Sequence, residues 1–182
     1  MKKPFDVIEI FLQPGDFYFG DKDTRIRTLL GSCVSMTLWH PTRLIGGMCH
    51  YMLPFRGGKA ATQLDGRYAD EAMQLFLREI RAAKSKPSEY KLKVFGAGNM
   101  FSTQAKKNSC GLHATLKDML ECRNVPCKNI AIARSLAALH GFKIEAENLG
   151  GEGHRQVLFD IWSGNVWVRH AKNIDGTRDE KN

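Results

Sequence analysis

One cysteine and one histidine in the first third of the chain have the residue types for nucleophilic chemistry. Cys33 lies in the run Thr-Leu-Leu-Gly-Ser-Cys-Val-Ser-Met that starts at Thr28, and His50 follows seventeen residues later. A thiolate is a strong nucleophile, and an imidazole nitrogen can take the thiol proton. The pair therefore suits attack on a carbonyl carbon. The structural alternative makes Cys33 a small buried hydrophobe and His50 a hydrogen-bonded core residue.

The segment between these two residues predicts a β-hairpin. Apolar and polar residues alternate over 34–39, a turn follows over 40–43, and a second apolar run comes next. If the strands pair directly on either side of this turn, facing residues have numbers that sum to 83, and Cys33 faces His50. Facing residues have Cβ atoms about 4.5 to 5.5 Å apart on one face of a sheet. A bulge at one of the nearby glycines would instead turn His50 away.

Length and composition predict one ordinary globular domain. The chain has 182 residues, of which 43% are hydrophobic and 25% charged. We expect a single domain over 1–170 and a polar, disordered tail over 171–182. Five cysteines in no regular framework favour a reducing compartment, so a cytoplasmic location is expected. No signal peptide and no membrane insertion are predicted, because no apolar stretch approaches about 18 residues.

The net charge of +8 favours acidic partners of some kind. Nucleic acid is disfavoured, because the basic residues are scattered and no nucleic-acid motif is present. A solvated basic surface that tolerates an acidic protein partner is the preferred interpretation.

Hydrophobic periodicity predicts a mixed α/β fold. Helical spacing of apolar residues marks 68–81 and 129–140, whereas 91–95, 142–147 and a terminal hairpin over 157–169 have strand character. The fold class expected is α/β (mixed α+β), a layered sandwich of mixed, largely antiparallel sheets with helices packed outside.

Two further motifs are weak. The glycine-bearing turn at 96–101 follows a strand but lacks the lysine and the serine or threonine of a phosphate-binding loop. Cys110, His113, Cys122 and Cys127 match zinc-ligand spacing poorly, so reduced thiols in an insertion over 103–127 are preferred over a metal site. No cofactor and no metal are predicted.

Several ordered segments are similar to one known family. They are Pro14–Asp16, Thr28–Ser35, Ile45–Pro54, Arg67–Asp70, Gly96–Phe101, Asn129–Ile130 with Arg134–Ser135, and Gly150–Gly151 with Arg155. Together they span about residues 5 to 170, and the Gly-Ser-Cys and His-Tyr-Met-Leu-Pro segments are the most specific. On these segments the chain resembles the chemoreceptor glutamine deamidase family, CheD.

The resemblance implies a cysteine-dependent amidohydrolase that converts selected glutamines of bacterial chemoreceptors to glutamates without a cofactor. It implies that Cys33 is the nucleophile, that His50 is its base and that Thr28 orients His50. The expected partners are the cytoplasmic domains of chemoreceptors. The family's layered sandwich, which is similar to the catalytic domain of deamidating bacterial toxins, agrees with the fold expected above.

Two other functions remain open from the sequence. The chain could be a chemotaxis regulatory module that binds and stimulates a phosphatase of the CheC type, as the resemblance also permits. The same cysteine and histidine could also serve a cysteine peptidase or a transamidase.

Overall fold

A computed structural model of the protein describes residues 2–58, 62–100 and 124–171. This part of the chain contains nine strands and two α-helices. The strands are β1 (Ile8–Leu12), β2 (Phe17–Gly20), β3 (Thr24–Leu30), β4 (Val34–His40), β5 (Ile45–Cys49), β6 (Lys91–Gly96), β7 (Ile144–Leu149), β8 (His154–Asp160) and β9 (Asn165–Ala171), and the helices are α1 (Ala69–Ala82) and α2 (Val125–Leu139).

The strands form two sheets that stack face to face. One sheet has four strands in the order β1-β3-β8-β9, and the other has five in the order β2-β5-β4-β6-β7. Among the strand pairs of the described residues, only β1/β3 and β6/β7 are parallel. Both helices pack against the five-stranded sheet, which gives three layers. The predicted layered α/β sandwich of mixed, largely antiparallel sheets is therefore confirmed, although strands predominate.

Each interface between layers has its own apolar core. Residues that alternate along β3 and β8, such as Ile26, Leu30, Val157 and Phe159, fill the space between the two sheets. A larger cluster that includes Met73 and Phe76 of α1 fills the space between the helices and the five-stranded sheet. Burial on both faces explains why β4 is buried along almost its whole length.

The helices begin near the predicted positions. α1 starts at Ala69, one residue after the predicted start, and buries the apolar stripe that predicted it. α2 starts at Val125 rather than at 129, because the side chain of Asn124 accepts a hydrogen bond from Cys127 N at 2.9 Å and Pro126 fits the first turn. Cys127 is disulfide-bonded, which corrects the expectation of a reduced thiol at this position.

Two predictions fall outside the described residues. Residues 103–123 of the predicted insertion are outside the described part of the chain, and they include Cys110, His113 and Cys122. Residues 172–182 of the predicted tail are also outside it. The prediction of a single domain over 1–170 stays a prediction. Neither helix of the described chain is long and apolar enough to cross a membrane.

The hairpin formed by β4 and β5 exists, but its predicted register is wrong. The observed pairs, from Thr37 opposite Met48 to His40 opposite Ile45, have numbers that sum to 85 rather than 83. His40 stays in the strand and the loop moves to 41–44, because Leu44 takes a left-handed conformation (φ 52°) and donates from its N–H to His40 O at 2.9 Å. The shift of two residues keeps every side chain on its predicted face.

Candidate active site

Cys33 and His50 lie at the open end of the β4/β5 hairpin. Val34 and Tyr51 are directly opposite and are joined by two backbone hydrogen bonds of 3.0 and 2.9 Å. Cys33 comes just before Val34 in the chain, and His50 comes just before Tyr51. The two side chains are therefore diagonal neighbours on one face, and not the directly facing pair that the sequence predicted. That face looks into the space between the sheets, where Cys33 contacts the apolar core.

Thr28 of the four-stranded sheet holds the ring of His50 from across this space. Its Oγ1 lies 2.8 Å from His50 Nδ1 and 2.8 Å from the carbonyl oxygen of Leu12. A carbonyl only accepts, so the single hydroxyl proton of Thr28 is donated to Leu12, and the hydroxyl oxygen must accept from Nδ1–H. This arrangement fixes the tautomer of His50 and leaves the lone pair on Nε2.

Nε2 of His50 is the atom available for chemistry. The side chain is 2% exposed, and Nε2 has no hydrogen-bond partner among the described residues. Burial lowers the pKa of His50 below its ordinary value, while the carbonyl of Leu12 and the negative charge of Asp16 act in the opposite direction. The neutral ring, which can act as a base, is therefore the favoured form.

The thiol of Cys33 is half-buried, and this burial favours its neutral form. Burial raises its pKa above the ordinary value, and the hydroxyl of Ser32 partly opposes this effect. Because Nε2 of His50 has no partner, no hydrogen bond joins the thiol to the ring. The arrangement is therefore a neutral thiol beside a neutral imidazole, and not an ion pair of thiolate and imidazolium.

The backbone of His50 is fixed by the turn at 14–16. Gly15 N donates to His50 O at 2.7 Å, and His50 N donates to Asp16 O at 3.0 Å. Gly15 has a positive φ of 96°, which favours glycine. A Cβ on Gly66 would collide with the carbonyl oxygen of Gly15, so both glycines allow the backbone to pack closely beside His50. The sequence predicted the turn but not its contact with His50.

The turn that carries Cys33 is fixed by the segment after β6. Ala97 N donates to Cys33 O at 2.7 Å, and Gly98 N donates to Gly31 O at 2.8 Å. Within the described residues, the backbone N–H groups of Ser32 and Cys33 have no acceptor. Two backbone donors beside a nucleophile are the usual components of an oxyanion hole.

The sequence predicted Cys33, His50 and Thr28 as site residues, and the structure brings Thr28 and His50 into contact. It missed Leu12, Asp16 and Ser32 as residues that contact or act on the pair. The Pro-Gly-Asp turn and the Gly-Ser-Cys run were visible signals for Asp16 and Ser32. Leu12 had no signal, because its carbonyl reaches Thr28 through the parallel pairing of β1 with β3. In the described ranges, no group of three or more His, Cys, Asp or Glu side chains could hold a metal ion.

The fold and the site together define an α/β sandwich protein with a candidate cysteine–histidine site at one end of its two sheets. Residues 52–170 match the family described as CheD, chemotactic sensory transduction, which is well over half of the chain. The chain belongs to the CheD family. Cys33 and His50 precede the matched range, so the geometry above is independent of that match.

Curated relatives align over nearly the whole chain. A protein of Pseudomonas savastanoi pv. phaseolicola, named probable chemoreceptor glutamine deamidase CheD, is 46% identical over 170 residues, which cover 93% of this chain and 89% of the relative. A protein of Dechloromonas aromatica named probable chemoreceptor glutamine deamidase CheD 3 is 42% identical, with 94% and 93% covered. A CheD 1 protein of Leptospira interrogans with the same description is 39% identical, with 94% and 98% covered.

Proposed function

We propose that this protein is a glutamine deamidase of chemoreceptors that uses Cys33 as nucleophile, His50 as base and Thr28 as the residue that orients the base. The observation that carries the proposal is the buried Nε2 of His50, left without a partner by the Thr28 hydrogen bond and placed on the sheet face that Cys33 occupies. The names of the relatives supply the substrate class.

In the first half of the reaction, Nε2 of His50 takes the proton of the Cys33 thiol as the sulfur attacks the carboxamide carbon of glutamine. The carbonyl π electrons move to oxygen, and the N–H groups of Ser32 and Cys33 stabilise that oxyanion. The oxyanion then re-forms the carbonyl, and the imidazolium donates its proton to the amine as the C–N bond breaks. Ammonia leaves, and a thioester joins the substrate to Cys33.

In the second half, His50 takes a proton from water as the oxygen attacks the thioester carbon. The C–S bond breaks, and the imidazolium returns a proton to the sulfur. The balance is one glutamine and one water to one glutamate and one ammonium ion. Each step uses a side chain or backbone group of the described chain.

Exposed apolar side chains around the site favour a protein substrate. Met52, Leu53 and Phe55 lie two, three and five residues after His50 and are 37%, 40% and 43% exposed. Met100 is 38% exposed, and its Sδ would lie 3.0 Å from a Cβ built on Gly31. We call these four residues the rim. A rim of apolar residues suits contact with the surface of another protein better than contact with free glutamine.

The same proposal places the enzyme in the cytoplasm, beside the cytoplasmic domains of chemoreceptors. Its alternative is a regulatory module that binds and stimulates a phosphatase of the CheC type, for which the rim would also be a suitable surface. A peptidase or transamidase with the same pair of residues would give cleavage or amine incorporation instead.

The test compares wild type, Cys33→Ala and the matched control Cys49→Ala on a receptor cytoplasmic fragment, with mass spectrometry of the products. Cys49 is a free cysteine on the opposite face of the same hairpin, buried in the helix-side core. We expect a gain of about 1 Da at specific glutamines with wild type and Cys49→Ala, and a loss of at least about 10³-fold with Cys33→Ala.

Undiminished deamidation by Cys33→Ala would overturn the proposed mechanism. If Cys33→Ala instead kept its effect on signalling, with no deamidation by any variant, the regulatory module would be the better description. Peptide cleavage or amine incorporation would identify the third alternative.

A further inference from the structure

Arg155 of β8 is a buried cation inside the sandwich. It is 2% exposed and lies opposite Leu30 of β3, three residues before the nucleophile Cys33. Its Nε donates to Asn148 Oδ1 at 2.7 Å, and its Nη2 donates to Gly150 O at 2.5 Å. Its Nη1 is buried and has no partner among the described residues.

This guanidinium is an expensive group to keep inside a protein. Within the described chain no carboxylate pairs with it, and burial lowers its pKa. A buried cation without a counter-ion, with one donor unsatisfied, costs free energy that an apolar side chain of similar volume would not. The two acceptors are exposed or half-exposed, so water can replace the arginine there. Stability alone therefore gives little reason for an arginine at this position.

The surroundings of Arg155 link it to the turn that carries the nucleophile. Gly150, which accepts from its Nη2, donates from its own N–H to Gly96 O at 3.0 Å. The next residues, Ala97 and Gly98, donate to the carbonyl oxygens of Cys33 and Gly31.

Gly98 is packed between the guanidinium and the nucleophile turn. A Cβ built on Gly98 would lie 3.3 Å from Nη1 of Arg155 and 3.2 Å from Gly31 O, and would collide with Gly153 O. Residues 149–153 and 96–100 therefore adjoin the guanidinium, and residues 31–33 are joined to it through Ala97 and Gly98. We call them the loop platform.

We propose that Arg155 is a positioning residue for the deamidation reaction, which clamps the loop platform so that the Cys33 turn presents its sulfur and its free N–H groups to the substrate amide. This inference rests on the proposed function and goes beyond it, because Arg155 acts on the reaction through backbone groups. Small displacements of such groups are costly, since a shift of about 1 Å can reduce a rate by about 10²-fold.

The test uses Arg155→Met in the full-length protein, with Arg25→Met as the control. Arg25 of β3 also contacts β8, by an ion pair of 2.7 Å with the buried Asp160. The Arg25→Met substitution leaves the buried carboxylate of Asp160 without its ion-pair partner. We therefore expect the Tm of this variant to fall while its kcat stays unchanged. Arg155→Met should show the opposite pattern: Tm unchanged or raised, kcat lowered about 10- to 100-fold, and KM within about two-fold of wild type.

A second variant keeps the test decisive if Arg155→Met folds poorly. Arg155→Ala leaves a cavity of guanidinium shape, so a low concentration of guanidinium ion, well below its denaturing range, should restore part of kcat. Sodium chloride and urea at the same concentration should not. Absence of rescue would overturn the proposal, as would a lower Tm with unchanged kcat in Arg155→Met.

The Cys33→Ala measurement separates this inference from the proposed function. If Cys33→Ala were fully active, the proposed mechanism itself would fail. If Cys33→Ala were inactive and Arg155→Met fully active with a normal kcat, only the role of Arg155 would fail.

Discussion

Thr28 Oγ1 accepts the Nδ1–H of His50 at 2.8 Å, and this bond joins the two sheets at the candidate site. Thr28 lies in β3 of the four-stranded sheet, whereas His50 follows β5 of the five-stranded sheet. The hydroxyl proton is donated to Leu12 O, so Thr28 has no proton left to donate to Nδ1. The tautomer of His50 with its proton on Nε2 is therefore disfavoured. In the proposed mechanism, a neutral threonine takes the tautomer-setting role that a carboxylate has in the Ser-His-Asp triad.

Thr28→Val should lower kcat by about 100-fold, because the ring loses its acceptor and the correct tautomer loses its advantage. It should also lower the free energy of unfolding by about 1 to 3 kcal/mol, since the carbonyl of Leu12 and Nδ1 of His50 are left unsatisfied. Thr28→Ser keeps the hydroxyl and should stay within a few-fold of wild type. Steady-state kinetics on a receptor fragment and denaturant titration measure both effects. Equal kcat for the two variants would contradict the orienting role.

The pH profile of kcat/KM should be broad, with both limbs displaced outward. Burial lowers the pKa of His50, so the ring stays neutral and active below the ordinary histidine pKa, and the acid limb shifts down. Burial raises the pKa of Cys33, so the thiol keeps its proton to higher pH. That proton is passed to His50 and then to the departing ammonia, so the alkaline limb shifts to higher pH.

Asp16→Asn tests the acid limb by itself. The charge of Asp16 raises the pKa of His50, so its removal should move the acid limb to still lower pH and leave the alkaline limb in place. An acid limb at or above the ordinary histidine pKa in wild type would contradict the assignment.

Ser32→Ala should slow the alkylation of Cys33 by iodoacetamide several-fold at neutral pH. The hydroxyl of Ser32 lowers the pKa of the thiol, so its removal leaves less thiolate. Peptide mass spectrometry follows Cys33 alone, and Cys49 is a convenient unreactive reference because burial raises its pKa to about 12. Ser32→Thr keeps a hydroxyl and should react at close to the wild-type rate. Faster alkylation of Ser32→Ala would exclude this role.

Leu53→Glu should raise KM for a receptor fragment about 10-fold and change kcat little. Leu53 belongs to the rim, and a charge there would have to lose its water against an apolar partner. The control is Leu139→Glu at the far end of α2, where a 75% exposed leucine lies away from the residues that contact the site. If the two variants gave the same KM, the rim would not be the surface that contacts the receptor.

The hairpin illustrates what the sequence could and could not predict. Alternation and the Pro41 turn located both strands and placed Cys33 and His50 on one face, and this is confirmed. The register was wrong by two residues because it depends on the left-handed conformation of Leu44, an apolar residue for which that conformation is uncommon. Face is set by a period of two, which the sequence carries, whereas the exact partner is set by loop geometry.

Contacts between layers were harder to predict than elements within them. The role of Thr28 came from family resemblance, since its contact with His50 depends on how the two sheets stack. The interior position of Arg155 was readable, because it alternates with Val157 and Phe159 on the buried side of β8, but its acceptors come from a loop. The start of α2 was also readable from Asn124 and Pro126.

If Thr28 orients His50 as proposed, their placement on different sheets has a consequence for biosynthesis. Before the two sheets dock, His50 lacks its hydrogen bond to Thr28, so its imidazole can rotate and exchange tautomers. Cys33 then has the reactivity of an ordinary cysteine in an incompletely folded chain. Chemical competence therefore arrives with the docking of the last layer. A chain still being made has both reactive groups but cannot yet use them on the glutamines of its neighbours.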